Sequence, residues 1–159
     1  MPQKLRYEID LSGLTLGAGS HDPRVRSISR ADHEGLARLM LDAYVGTIDY
    51  EDEGLEDAIE EVRSFLDDGD ALLDRSYLVE DDGTIVSAVL VSLYEGMPFV
   101  GYVMTLPPHK DQGLARLVTV TALERLAADG HETVVLYITA GNTPSEALFR
   151  SVGAVQVES

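Results

Sequence analysis

The stretch from residue 76 to residue 118 constrains the fold most. Residues 76–80 read as a short strand, and Asp81-Asp82-Gly83 as a hairpin turn, because Asp-Gly supplies the left-handed backbone that such turns need. Residues 84–93 form a long β-branched strand, 95–98 turn it, and 99–105 return. Consecutive strands usually lie side by side, so the expectation is an antiparallel meander. Directly after it comes Pro-Pro-His-Lys-Asp-Gln-Gly-Leu-Ala-Arg-Leu-Val at 107–118, which opens a helix. A turn of this composition leaves backbone N–H groups unpaired at the helix start. With the positive end of the helix dipole, they make a site for an anion, most often a phosphate.

The remaining segments surround that core. Residues 4–11 alternate, with Leu5, Tyr7, Ile9 and Leu11 on one face and Lys4, Arg6, Glu8 and Asp10 on the other, the pattern of a half-buried strand. A Gly- and Ser-rich loop at 12–24 follows, so residues 1–24 read as an extension ahead of a main domain at 25–159. A short strand at 25–29 leads into an amphipathic helix at 31–45, with Ser29 as N-cap and Asp32 in its first turn. An acidic loop at 46–54 and a second helix carrying Leu55, Ile59, Val62 and Leu66 come next. Leu114–Ala128 is apolar on more than one face and predicts a largely buried helix, closed by Gly130. A strand at 133–138 is expected parallel to 99–105 through a right-handed crossover. Thr143, Pro144 and Glu146 predict a capped last helix, ending at Gly153 before a final strand.

Composition narrows the function. The chain has 159 residues, enough for one domain, and 45% hydrophobic residues, enough for a core. A net charge of −16 argues against nucleic acid, which calls for a basic patch. It gives no reason to expect an anionic membrane surface and favours a cationic partner. The absence of cysteine excludes disulfides and thiolate chemistry. His21, His33, His109 and His131 are not spaced for a metal, so no metal site is expected. No run approaches the length of a membrane span, and residues 1–10 do not read as a signal peptide. The expectation is a soluble, cytoplasmic protein.

Lys110-Asp111-Gln112-Gly113-Leu114-Ala115 resembles the (Arg/Gln)-x-x-Gly-x-(Gly/Ala) signature of the GNAT acetyltransferase superfamily, with Lys at the first position. Asn142, Leu148-Phe149 and Gly153 resemble that family's second pattern, with Phe149 where a Tyr is usual. The resemblance implies an α+β, GNAT-like mixed sheet: an antiparallel meander plus a parallel pair, flanked by helices, here with an extra N-terminal strand. It implies acetyl-CoA as co-substrate, direct acetyl transfer to an amine, and an N-acetyltransferase activity. A non-catalytic acyl-CoA-binding or interaction module on the same scaffold is the alternative.

The same resemblance assigns roles. Lys110, Asp111, Gln112, Gly113, Leu114 and Ala115 would cradle the pyrophosphate. Backbone within 103–106, including Val103 and Thr105, would meet the pantetheine and thioester at a bulge. Asn142 and Phe149 would line the cofactor's arm. Because position 149 carries no hydroxyl, Tyr102 is a candidate acid, with Tyr137 and Ser145 behind it. Glu95 is a candidate base, alongside Asp49 and Glu51 in the acidic loop. That loop favours a small cationic acceptor, and a free edge on the N-terminal strand could pair across a homodimer.

Overall fold

The computed structural model describes residues 3–12, 14, 22–44 and 54–158. The elements run β1 (Lys4–Asp10), β2 (Val25–Ser27), a 3-10 turn (Arg30–Asp32), α1 (His33–Tyr44), α2 (Leu55–Asp67), a second 3-10 turn (Leu73–Arg75) and β3 (Tyr77–Asp81). Then come β4 (Thr84–Tyr94), β5 (Met97–Thr105), a third 3-10 turn (Pro107–His109), α3 (Leu114–Ala128), β6 (Thr133–Thr139), α4 (Thr143–Ser151) and β7 (Val155–Gln156). The strands make one sheet in the order β2-β3-β4-β5-β6-β1-β7. Only β5 and β6 pair in parallel; the meander and the other neighbours are antiparallel.

Both faces of β4 are covered, which is why its sequence reads as an unbroken apolar run. Val86, Val89 and Val91 pack on the α3 side, where Leu114, Val118, Leu123 and Leu126 of that helix join Phe149 and Val152 near the end of the chain. Ile85, Ala88 and Leu90 point the other way, against Leu36, Leu39 and Met40 of α1 and Ala58, Val62 and Leu66 of α2. The apolar surround predicted for α3 reflects its burial between the sheet and its neighbours.

The N-terminal strand is an inner strand of the sheet rather than an appendage. β1 registers with β6 along its whole length, from Lys4↔Thr139 to Asp10↔Thr133. Its other edge is taken by β7 at Tyr7 and Glu8. Its alternation dictates this placement, since Tyr7 at 1% and Ile9 at 0% exposure complete the α3-side core. The edge expected to be free for a dimer is therefore partly closed within the chain.

Ser29 and Asp32 behave as predicted, on a 3-10 turn that precedes α1. The Ser29 N–H donates to the Asp32 carboxylate at 2.8 Å. Arg26 then grips the same carboxylate with two N–H donors, at 2.9 and 2.8 Å, and reaches across to Glu80. The Arg26 bonds hold the Asp32 pKa below the usual carboxylate range, against the opposing effect of burial. Arg26→Met should destabilise the chain by about 1–3 kcal/mol at neutral pH, because Asp32 is left buried with fewer partners. A carboxylate with a lowered folded pKa stabilises above its unfolded pKa and loses that contribution as pH falls. The gap between variant and parent in urea melts should therefore narrow below about pH 4.

Candidate functional site

Two features of β5 build the site. The register passes from Val91↔Val100 to Leu90↔Tyr102, so Gly101 is an extra, bulged residue. The parallel ladder to β6 has the pairs Phe99↔Val135 and Val100↔Leu136 and ends there. Beyond it, residues 101–105 and 137–139 diverge as the arms of a fork. The bulge was expected within 103–106; it lies at Gly101, and a lone glycine inside a β pattern is the sequence signal for it. The bulge also reverses the alternation. Val100 and Val103 share the α3-side core, while Tyr102 and Met104 face α1 and α2.

The backbone of the β5 arm then has a defined direction. The Leu106 N–H donates to the Val86 carbonyl at 2.9 Å. In an antiparallel pair, alternate residues point to opposite sides, so Met104 and Tyr102 also address β4. Val103 and Thr105 present their N–H and C=O groups to the gap. Their side chains are otherwise engaged: Val103 packs on the α3 side, and the Thr105 hydroxyl meets that of Ser87 at 3.0 Å.

The turn at the end of this arm is held from below. The His109 N–H donates to the Leu106 carbonyl at 2.8 Å, and its ring sits 3.2 Å from the Asp81 carboxylate in the β3–β4 hairpin. Asp111 and Gly113 take left-handed backbone, at φ 66° and 78°. Gly113 is the N-cap of α3, and no side chain caps the helix. The first intrahelical bond runs from the Leu117 N–H to the Gly113 carbonyl at 2.9 Å, so the N–H groups of Leu114, Ala115 and Arg116 have no helical acceptor. A Cβ on Gly113 would meet nothing within 4 Å. Leu114, 4% exposed, anchors the turn in the core, while Lys110, Asp111 and Gln112 lie exposed around it. Val103 and Thr105 thus offer backbone donors and acceptors along the gap, and the uncapped N–H groups of Leu114, Ala115 and Arg116 follow at the helix start beyond it.

The other expected residues divide. Asn142, and not Thr143, caps α4: its side-chain oxygen accepts from the Ser145 N–H at 3.3 Å. Phe149, expected along the cofactor's arm, is 5% exposed and packs in the α3-side core. Glu95 takes left-handed backbone at φ 52° with Gly96 at the tip of the β4–β5 hairpin. β5 runs from that tip toward the 110–115 turn, and four residues, about 13 Å, separate its start at Met97 from Gly101, so Glu95, beyond Met97 in the tip, is not placed to serve a fork there. The acidic loop, with Asp49 and Glu51, lies outside the described residues.

Tyr102 sits at the fork, next to Gly101. Its hydroxyl donates to the Glu61 carboxylate from α2. Burial first, then the bond to Glu61 and its charge, push the Tyr102 pKa up, so the phenol stays neutral. Glu61 is an exposed helix carboxylate that sequence reasoning missed. Nothing in the sequence separates it from Glu56 or Glu60; only the packing of α2 against α1, which itself covers β4 and β5, brings it to Tyr102. Among the described residues no group of three His, Asp or Glu is placed to hold a metal, and no helix is long and apolar enough to cross a membrane.

An uncapped helix start beside a forked parallel pair defines a class of fold, and comparison with known proteins identifies it. A family model described as FR47-like protein matches residues 78–158, from β3 to the last strand. The chain belongs to the FR47-like family, within the GNAT superfamily. A GCN5-related N-acetyltransferase from Sphaerobacter thermophilus superposes with a TM-score of 0.71 at 18% identity, over 99% of this chain and 50% of that one. A GNAT-family protein from Novosphingobium aromaticivorans gives 0.66 at 18% identity, over 98% of this chain and 61% of that one. The PaiA N-acetyltransferase of Thermoplasma acidophilum, solved with coenzyme A, gives 0.63 at 16% identity, over 79% and 85%. At these identities the likeness is one of fold, and the chain spans only 50% and 61% of the first two. No curated protein sequence matches the chain.

Proposed function

We propose that the chain is an acetyl-CoA-dependent N-acetyltransferase. The observation that carries this reading is the continuity of the fork with the uncapped start of α3. The amides of Gly113, Leu114 and Ala115 would take the pyrophosphate, with Lys110 adding a point charge. Val103 and Thr105 would bond the pantetheine amides as a further strand would. The thioester would then lie at Gly101, where the arms meet.

The reaction needs little more from the protein. A neutral amine attacks the thioester carbon, the C–S bond breaks with its electron pair on sulfur, and the proton that the nitrogen then sheds goes to the thiolate, directly or by way of Tyr102, leaving an amide and a free thiol. The ammonium proton must leave before attack, and Glu61 is placed to accept it directly or through water. The thiolate is a tolerable leaving group near neutral pH, since thiol pKa values lie around 8.5. Tyr102, kept neutral, has a proton to donate at the fork. Tyr102→Phe should lower kcat about 10²-fold and leave coenzyme A affinity unchanged, as measured by steady-state thiol release and calorimetry. Because its pKa is raised, Tyr102 should produce no alkaline fall in kcat below about pH 10. Lys110→Ala should weaken coenzyme A about five-fold and flatten the salt dependence of binding, since one exposed charge is lost.

One observation favours a second reading, an acyl-CoA-binding module without turnover: Phe149 stands in the core where the family usually carries a tyrosine. Free thiol followed during incubation with acetyl-CoA and a panel of amines separates the two. Thiol release supports the transferase. Tight binding without release across the panel supports the module.

A further inference from the structure

The face of the sheet opposite α3 carries an aromatic ladder that the cofactor reading does not use. Tyr94 of β4 and Phe99 of β5 lie with ring centroids 5.7 Å apart, and Phe99 and Tyr137 of β6 with centroids 6.0 Å apart. The registers Ser92↔Phe99, Phe99↔Val135 and Arg6↔Tyr137 put all three rings on one face. Tyr94 at 43% and Tyr137 at 36% are exposed, which is unusual for large apolar side chains in this molecule. Among the described residues, the core under α1 and α2 contains members of β3 to β5 and none of β6 or β1. These helices therefore stop short of the ladder.

The ladder leads to the fork. Along this face of β5, Phe99 is followed by the bulged Gly101 and then by Tyr102. Gly101 is exposed and has no side chain, and a Cβ there would lie only 3.6 Å from the Phe99 ring. The result is a slot with Gly101 as floor, Phe99 and Tyr137 along one side, and Tyr102 with the Glu61 carboxylate along the other. The far end of the ladder closes on Arg6, whose guanidinium is held by Glu8 at 3.1 Å. The opposite face of the fork is filled by α3 and the residues of α4 that pack with it.

We propose that this slot takes the acceptor, and that the acceptor is a primary amine carried on a flat apolar or aromatic body. The inference rests on the acetyltransferase reading for the transfer step, but not for the binding. Ring faces offer stacking for a flat body and attraction for an ammonium. Glu61 supplies the counter-charge at the fork end, and the net charge of −16 attracts cations generally. A polyamine would use the carboxylates and leave the rings idle; the ladder distinguishes the two.

Phenethylamine and spermidine are the probes, tested by calorimetry on the chain alone and with excess coenzyme A, and by thiol release with acetyl-CoA. Tyr137→Ala and Tyr94→Ala alter exposed rings, and thermal melts check that each variant is folded. Phenethylamine should bind more tightly than spermidine and weaken about ten-fold in Tyr137→Ala. Coenzyme A and spermidine affinities should stay unchanged. Tighter binding of spermidine, no binding of phenethylamine, or phenethylamine binding indifferent to both variants overturns the proposal. If phenethylamine binds through Tyr137 but coenzyme A does not bind, the slot stands and the transferase reading falls. If coenzyme A binds and phenethylamine does not, the slot falls, and thiol release with other amines still decides the transferase reading.

Discussion

Gly113→Asp should abolish coenzyme A binding while leaving the fold intact. Gly113 holds the N-cap of α3 in left-handed backbone at φ 78°, a conformation that Asp tolerates better than most residues. Its carboxylate would stand at the positive end of the helix, where a negative charge stabilises by about 0.3–1 kcal/mol. A Cβ there meets no protein atom within 4 Å, so no packing is disturbed. Thermal denaturation should consequently shift by no more than a few degrees. The same charge would stand where the proposed pyrophosphate would bind and compete for the amides of Leu114 and Ala115. Two unit charges about 4 Å apart near a protein surface repel by about 4 kcal/mol, which corresponds to a loss of affinity beyond about 100-fold. Calorimetry with coenzyme A reads this directly. Binding unchanged in a folded variant would remove the cofactor turn from the account.

Leu136→Ala should produce the largest loss of stability. Leu136 is 1% exposed and pairs with Val100 in the last rung before the fork. It belongs to the core shared by α3, β1 and β6. Truncating a buried leucine removes its transfer free energy and leaves a cavity, for an expected cost of about 3 kcal/mol. In a chain of this size that is a drop of about 6–12 °C in Tm. Val155→Ala makes the contrast: at 62% exposure it should change stability by less than about 0.5 kcal/mol. Equal losses from the two substitutions in urea melts would contradict the assignment of the core.

The two predictions rest on parts of the chain whose local signals were strong. The meander, the burial of α3 and the glycine turn before it are properties of neighbouring residues, and the sequence patterns carry them. What the patterns did not carry was partnership at a distance. The alternation in Lys4–Asp10 says which face of β1 is buried, but not that β6 and β7 lie on either side of it. Gly101 marks a bulge, yet its effect on the faces of Tyr102 and Val103 depends on the register with β4. Glu61 reaches Tyr102 only because α2 packs against α1, which covers β4 and β5. Glu95 looked available because loops often carry function. In the structure it shapes a hairpin tip remote from the fork. Phe149 and Asn142 show the limit from the other side: one packs and one caps, each a structural task that a motif match leaves unspecified.

Backbone amide shifts during a coenzyme A titration test the central claim most directly. The account predicts that Val103, Thr105, Gly113, Leu114 and Ala115 move most, together and with one affinity. Coenzyme A that binds while those five amides stay still, or that does not bind at all, contradicts it.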